Sequence, residues 1–185
     1  MRTPSHSVCR LAASALAALA SPLAGAAIAQ QPTAMAAPAC PATPESLPPA
    51  FAAWPNATTL TSASDRPGLA AAKMAPGEAE TLELHPAAEM HYVLAPAKPA
   101  AAGSYGGMAA LHVTAPGTYR VALGGGAWID LLGNGQFLPS AGHGHGPACS
   151  GIRKIVDFAL QPGDYVVQVA GSSTATITVL VVPQG

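Results

Sequence analysis

The sequence predicts an all-β fold, an antiparallel β-sandwich of about eight or nine strands that follows an extended N-terminal arm. From residue 74 onwards, short runs of alternating apolar and polar residues are separated by Gly and Pro at intervals of roughly eight to twelve residues. The dipeptide Asn134-Gly135 is typical of a tight β-hairpin. A Pro-Gly-x-Tyr pattern follows Ala115 and occurs again, 46 residues later, after Gln161. Each copy predicts a type II turn that leads into a strand.

The alternation also gives the positions of the strands within the predicted sandwich domain, residues 74–185. Successive side chains of a strand point to opposite faces, so a run with an apolar residue at every second position predicts a strand with one face in the core. The predicted strands are residues 80–85, 89–94, 107–114, 118–123, 127–132, 136–138, 153–160, 164–170 and 174–182.

Residues 1–29 have the features of a secretory signal peptide. Arg2 and Arg10 precede an uncharged run rich in Ala and Leu, and Ala27 and Ala29 form the A-x-A pattern of a cleavage site. The run, about eighteen residues, is short for a membrane span. We therefore expect export to the periplasm or the medium, cleavage after Ala29, and no membrane span in the mature chain.

Residues 30–73 are rich in Ala, Pro, Ser and Thr, which predicts an extended arm. Within it, Leu47, Phe51 and Trp54 are spaced by four and three residues, so a short helix is expected near residues 45–54. The two aromatic residues are expected to pack on the main body rather than to stack on a ligand.

The charge pattern argues against an extended anionic partner. The chain has eight Lys and Arg against nine Asp and Glu, a formal charge of −1. Signal cleavage removes two arginines, which leaves six bases against nine acids and a formal charge of −3. Apart from Arg153-Lys154 these bases are scattered, so we expect no nucleic-acid partner. The expected partner is a small ligand or an envelope component.

Cleavage also removes Cys9 and leaves Cys40 and Cys149. In an oxidising compartment an even number of cysteines most simply forms disulfides. We therefore predict a Cys40–Cys149 disulfide, which prevents Cys149 from binding a metal.

A His-Gly-His sequence, containing His143 and His145, is the main candidate for a site. Alternate residues of an extended strand share a face, so the two imidazoles would bind copper or zinc if a third histidine, such as His91 or His112, joined them. In the other interpretation the sequence is a Gly-rich loop whose imidazoles are only solvated, and no cofactor is expected.

Arg153, Lys154 and Trp128 are candidates for the rim of a site near these histidines. The two basic residues would attract an anionic ligand, or they are simply the solvated start of a strand. Trp128 alternates with Asp130, so it is either an aromatic residue on a binding face or a residue of the core.

Three segments carry a resemblance to known proteins. They are Pro-Ala-Ala-Ala-Gly-Ser-Tyr-Gly-Gly at 99–107, Gly-Thr-Tyr-Arg-Val-Ala-Leu-Gly-Gly-Gly-Ala-Trp-Ile-Asp at 117–130, and Gly-His-Gly-His-Gly-Pro-Ala-Cys-Ser-Gly-Ile-Arg-Lys at 142–154. These segments resemble a family of small exported proteins from sphingomonad-type bacteria that often carry the name homogentisate 1,2-dioxygenase. That name implies ferrous iron held by two histidines and a carboxylate, here His143 and His145 with Asp130 or Asp157. The glutamate that cupin enzymes place shortly after His-x-His is absent.

The Pro-Gly-x-Tyr-x-Val pattern, followed by an alternating final strand, also resembles the pre-peptidase C-terminal domains of secreted bacterial enzymes. That resemblance implies a jelly-roll-like sandwich. Taken with the signal peptide, the sequence favours an exported, noncatalytic binding or envelope-associated protein. The alternative is a metal-binding protein, or an iron-dependent dioxygenase that uses His143 and His145.

Overall fold

Two β-sheets pack face to face, as the sequence predicts. A computed structural model describes Cys40 and residues 46–185, and the predicted signal peptide lies outside the described residues. The strands are β1 (Thr58–Thr61), β2 (Lys73–Met74), β3 (Ala79–Glu83), β4 (His85–Pro86), β5 (Tyr105–Val113), β6 (Gly117–Leu123), β7 (Trp128–Gly133), β8 (Gln136–Phe137), β9 (Gly142–Gly144), β10 (Lys154–Leu160), β11 (Gly163–Ser172) and β12 (Thr176–Pro183). Sheet A has the order β1-β3-β12-β6-β10-β9, and sheet B the order β2-β5-β11-β7-β8 with β4 beside β5.

The structure contains more strands than the eight or nine predicted, and the additional strands are short. The described residues contain twelve strands, and β1, β2, β4 and β9 are too short to show an alternating pattern. β1 pairs in parallel with β3, and β2 in parallel with β5, so both sheets are mixed rather than purely antiparallel. Because β1 belongs to sheet A, the sandwich begins before residue 74 and includes part of the predicted arm.

The core lies between the sheets and follows the predicted alternation. In β10, Val156, Phe158 and Leu160 are buried, whereas the residues between them are more exposed. These side chains form one apolar cluster with residues of sheet B, among them Val167 and Val169 of β11. Removal of this apolar surface from water is the main source of stability.

The outer face of sheet A is covered by two 3₁₀ turns, η1 (Pro49–Phe51) and η2 (Trp54–Asn56), which stand where a short helix was expected. Prolines lack the N–H that a longer helix needs. Phe51 is 3 % exposed and Trp54 is 9 % exposed, and both belong to one apolar cluster with Leu180 of β12. Two further 3₁₀ turns are η3 (Pro67–Ala70) and η4 (Ala87–Glu89).

The strand predicted at residues 89–94 is wrong. After η4 this segment is irregular, and it is held by Gln168 of β11, which is 1 % exposed. The Gln168 Oε1 accepts hydrogen bonds from the backbone N–H of Val93 (3.0 Å) and Leu94 (3.4 Å), and its Nε2 donates to the Leu94 carbonyl (3.1 Å). A buried side chain therefore satisfies backbone groups that a strand would satisfy with a neighbour.

The two Pro-Gly-x-Tyr segments form equivalent corners between the sheets. One connects β5 of sheet B with β6 of sheet A, and the other connects β10 of sheet A with β11 of sheet B. The Tyr119 hydroxyl donates to the Ala115 carbonyl (3.0 Å), and the Tyr165 hydroxyl donates to the Gln161 carbonyl (2.8 Å). Such tyrosine corners occur in other β-sandwiches. The expected type II turn is wrong at both corners, because Gly117 lacks a positive φ and Gly163 has a φ of 157°, whereas this turn requires about 80°.

The predicted hairpin and disulfide are both present. Asn134 and Gly135 have φ values of 51° and 73°, as a type I′ turn between β7 and β8 requires. Cys40 and Cys149 are joined with their Cα atoms 5.5 Å apart. Cys149 lies in the connection between β9 and β10, so the disulfide links Cys40 to this connection.

Candidate functional site

A cleft of about 600 Å³ opens at one end of the sandwich. Two connections meet there, residues 124–127 between β6 and β7 and residues 145–153 between β9 and β10, and the pairing of Leu123 with Lys154 holds them side by side. Lys98, which the sequence did not single out, lines the cleft. So do the five residues that it did single out, which are Trp128, His143, His145, Arg153 and Lys154.

The edge strand β9 directs His143 toward the opening between the sheets. His143 pairs with Val156 across the β9–β10 ladder, and opposed residues of antiparallel strands point to the same face. Val156 is buried in the core. Because β9 is an edge strand of sheet A, His143 lies at the margin of the core and remains exposed.

His145 is held by the backbone of the connection between β9 and β10. Its Nδ1 lies 2.8 Å from the carbonyl oxygen of Arg153. A carbonyl oxygen only accepts hydrogen bonds, so Nδ1 carries the proton and, in the neutral ring, Nε2 is an acceptor. The Cys40–Cys149 disulfide attaches the loop at a second point. The hydrogen bond and the disulfide together hold His145 and Arg153 in place at the cleft.

Trp128 is 37 % exposed, so it is a residue of the cleft rather than of the core. Its Nε1 donates to Asp130 Oδ1 (2.9 Å), and the N–H of Ala97 donates to Asp130 Oδ2 (3.1 Å). Asp130 is only 8 % exposed. Both of its oxygens are therefore engaged, and the buried carboxylate fixes the orientation of the indole.

The charge of Asp130 also acts on Tyr92. Burial, and to a smaller extent this carboxylate, raise the pKa of Tyr92 from 10.0 to about 12. The Tyr92 hydroxyl donates to the Val169 carbonyl at 3.0 Å. The phenol thus stays neutral at physiological pH and attaches the irregular segment to β11.

Two lysines lie near the Trp128 ring. Lys154 Nζ is 5.1 Å and Lys98 Nζ is 6.0 Å from the ring centroid, within the range of cation–π attraction. Lys154 Nζ also donates to the Ala127 carbonyl (3.1 Å). Burial lowers the pKa of Lys154 below its usual 10.5, and repulsion from Lys98 lowers this pKa further, while Asp130 acts in the opposite direction.

The carboxylate that an iron dioxygenase needs is not presented to the histidines. Among Cys40 and residues 46–185, no three His, Cys, Asp or Glu side chains lie close enough to hold one metal ion. The oxygens of Asp130 are engaged as described, and Asp157 Oδ1 faces Arg120 Nε at 3.6 Å. These residues do not fit a set of two histidines and one carboxylate.

Neither candidate for a third histidine lines the cleft. His112 Nδ1 lies 2.7 Å from Asp164 Oδ1, and this pair is exposed on β5 and β11. His91 is also exposed, and its backbone N–H donates to the Ser64 carbonyl at 2.8 Å. The site therefore contains two imidazoles and three longer basic side chains around one indole.

A second cavity, of about 390 Å³, adjoins the cleft and shares Trp128, His143 and Lys154 with it. We call it the apolar groove. Its apolar lining residues, apart from Trp128 and Ala97, are Ile129, Phe137, Leu138, Val156 and Phe158. Phe137 was not singled out from the sequence, because a lone aromatic residue in a two-residue strand carries no pattern.

Comparison of the chain with protein-family models, with curated proteins and with solved structures gave no match in any of the three. The resemblance noted from the sequence therefore remains an expectation. Within the described part of the chain, no helix has the length and apolar character needed to cross a membrane.

Proposed function

We propose that this chain is an exported, noncatalytic binding protein of the cell envelope, and that the cleft around Trp128 binds a small anionic molecule. The observation that carries the proposal is the concentration of basic groups at the cleft. Lys98, Arg153 and Lys154 line it together with two histidines, and no Asp or Glu is among its described lining residues.

The basic character of the cleft contrasts with the net negative charge expected for the mature chain. After signal cleavage the chain would have six Lys and Arg against nine Asp and Glu. Half of those bases line one cleft. A cleft lined by charges of one sign raises the local concentration of ligands of the opposite sign. An acidic protein with such a cleft is thus suited to select small anions while its remaining surface repels them.

The mutual repulsion of Lys98 and Lys154 supports the same conclusion. Both ammonium groups lie near one indole, and burial first, then repulsion from Lys98, lowers the pKa of Lys154. An anion bound between them would relieve this repulsion and would accept charge-assisted hydrogen bonds. The exposed part of the Trp128 ring offers an apolar surface for a planar group of the same ligand.

The described lining of the cleft contains no Ser, Thr or Cys and no carboxylate. A Ser, Thr or Cys nucleophile activated by an adjacent base is one common arrangement for covalent catalysis. The described lining lacks that hydroxyl or thiol nucleophile, and the proposal of binding rests on the charge of the cleft.

The test is calorimetric titration of the protein with benzoate, and with benzamide and benzylamine as neutral and cationic probes of similar shape. We expect benzoate to bind at least about tenfold more tightly than benzamide, because a hydrogen bond to a charged group contributes about 1.5 kcal/mol or more. Lys98→Gln and Lys154→Gln should each weaken benzoate binding. Lys73→Gln, at an exposed position that lines neither cavity, is the matched control. Equal affinities for benzoate and benzamide would refute the proposal.

Metal binding is a second candidate function, favoured by one observation. His145 uses its Nδ1–H on a backbone carbonyl, an arrangement common among histidines that bind metal through Nε2. Titration with copper and zinc tests it. Tight binding of one equivalent that is lost in both His143→Ala and His145→Ala would establish a metal site, and binding unchanged by both substitutions would exclude these residues.

A further inference from the structure

The apolar groove reaches the core between the two sheets. Its walls include Ile129, Val156 and Phe158, which are 5 %, 6 % and 2 % exposed and belong to the central apolar cluster. β8 and β9 form the neighbouring edges of sheets B and A, and they are only two and three residues long. The sandwich is therefore incompletely closed at this side, and the groove is the resulting opening.

The large apolar side chains with the greatest exposure line this same opening. In the described part of the chain, Trp128 and Phe137 are the large apolar residues that are more than a third exposed, at 37 % and 38 %. Both line the groove. Single exposed apolar residues are ordinary, but two that flank a recess into the core indicate a binding site.

The groove and the basic cleft are parts of one continuous surface. Trp128, His143 and Lys154 line both cavities. The acid at the groove is Asp130, whose two oxygens already accept hydrogen bonds from Trp128 and Ala97. One end of the combined site is therefore basic, and the other end is apolar.

We propose that the groove takes the hydrocarbon chain of a single-chain amphipathic anion, such as an alkanoate, whose head group occupies the basic cleft. This inference rests on the proposed function, because the cleft supplies the anion site. The occupant is a free, single molecule rather than a bilayer surface, because the groove is a recess that reaches buried residues of the core and not a flat apolar patch.

The chain length of the ligand then controls affinity. Each methylene group transferred from water into the groove should tighten binding about fourfold, until the groove is filled. Burial of apolar surface should also make the heat-capacity change of binding more negative with each added methylene. A short anion should bind through the cleft alone.

The experiment titrates the protein with butanoate, hexanoate, octanoate and decanoate, each below its critical micelle concentration. Alkyltrimethylammonium ions of matched chain length are the head-group control. Phe137→Ala should reduce the gain in affinity per methylene, and Ser140→Trp, at an exposed position of the groove lining, should end that gain at a shorter chain. Both sites are exposed, so folding should be retained. Met90→Ala, at a half-buried position that lines neither cavity, should leave the gain in affinity per methylene unchanged.

The outcomes separate this inference from the proposed function. A stepwise rise in affinity that both groove variants blunt supports the inference. Butanoate and decanoate binding equally well would overturn it and leave the anion site intact, whereas no binding of butanoate, decanoate or benzoate would overturn both proposals. Equal binding of the matched cations, or binding only to vesicles of phosphatidylcholine and phosphatidylglycerol, would also overturn it.

Discussion

Loss of the Cys40–Cys149 disulfide should lower the free energy of unfolding by several kcal/mol. The bond closes a loop with a sequence separation of 109 residues. In the chain-entropy model, closing a loop of 109 residues removes about 16 cal/mol/K from the unfolded chain, which corresponds to about 4.8 kcal/mol at about 25 °C. Residual structure in the unfolded chain reduces this figure, so we expect a measured loss of about 3–5 kcal/mol.

The assay is guanidinium denaturation of the oxidised protein and of the Cys40→Ser/Cys149→Ser variant, followed by tryptophan fluorescence. Because the unfolded chain without the disulfide is more expanded, the variant should also show a steeper dependence on denaturant. Wild-type protein that has been reduced and alkylated is the control and should behave like the variant. A loss below about 1 kcal/mol with an unchanged slope would refute the argument, since it would mean that the bond does not restrict the unfolded chain.

The remaining predictions concern the cleft and the residues beside it. In Trp54→Phe protein, the ratio of iodide to caesium quenching of Trp128 should exceed the ratio for free N-acetyltryptophanamide, because basic side chains line the cleft with this indole; an equal ratio would contradict the electrostatic argument. Benzoate affinity should fall as pH rises through the lowered pKa of Lys154, below the usual 10.5, and Lys154→Arg should reduce this dependence because arginine stays charged. The raised pKa of Tyr92 contributes stability that is complete below pH 10.0 and is lost as pH rises through about 12; urea midpoints that Tyr92→Phe leaves equally pH-dependent would argue against it. Asp130→Ala should lower the free energy of unfolding by about 1–3 kcal/mol, because two N–H donors lose their acceptor, and a urea titration that shows no change would disprove that role.

Local patterns predicted the long strands well, because alternation is a property of neighbouring residues. β5, β6, β10 and β12 all lie within about two residues of their predicted bounds. The alternating pattern at residues 89–94 wrongly predicted a strand, because the backbone of this segment bonds to the side chain of Gln168, 75 residues away from Val93. β1 and β9 were missed because strands of three or four residues, paired on one side only, show no period.

The candidate site was predicted in part. His143, His145 and Arg153 were identified because they are close in sequence and chemically unusual in this chain. Lys98 lies in a segment rich in Ala and Pro, and no local pattern connects it with Trp128. The role of Asp130 was also not visible, since a Trp-x-Asp alternation shows a shared face but not the hydrogen bond between the two side chains.

The sequence by itself determined the β class, the disulfide partners and the His-Gly-His segment as a candidate site, because periodicity, turn chemistry and cysteine count act over short distances or by simple pairing. Only the tertiary structure decided that Trp128 is exposed and that Lys98 lines one cleft with it and with Arg153 and Lys154. It also decided that the sandwich stays open beside β8 and β9. These features depend on which strands become the edges of each sheet, and that depends on long-range packing between the sheets rather than on any local pattern.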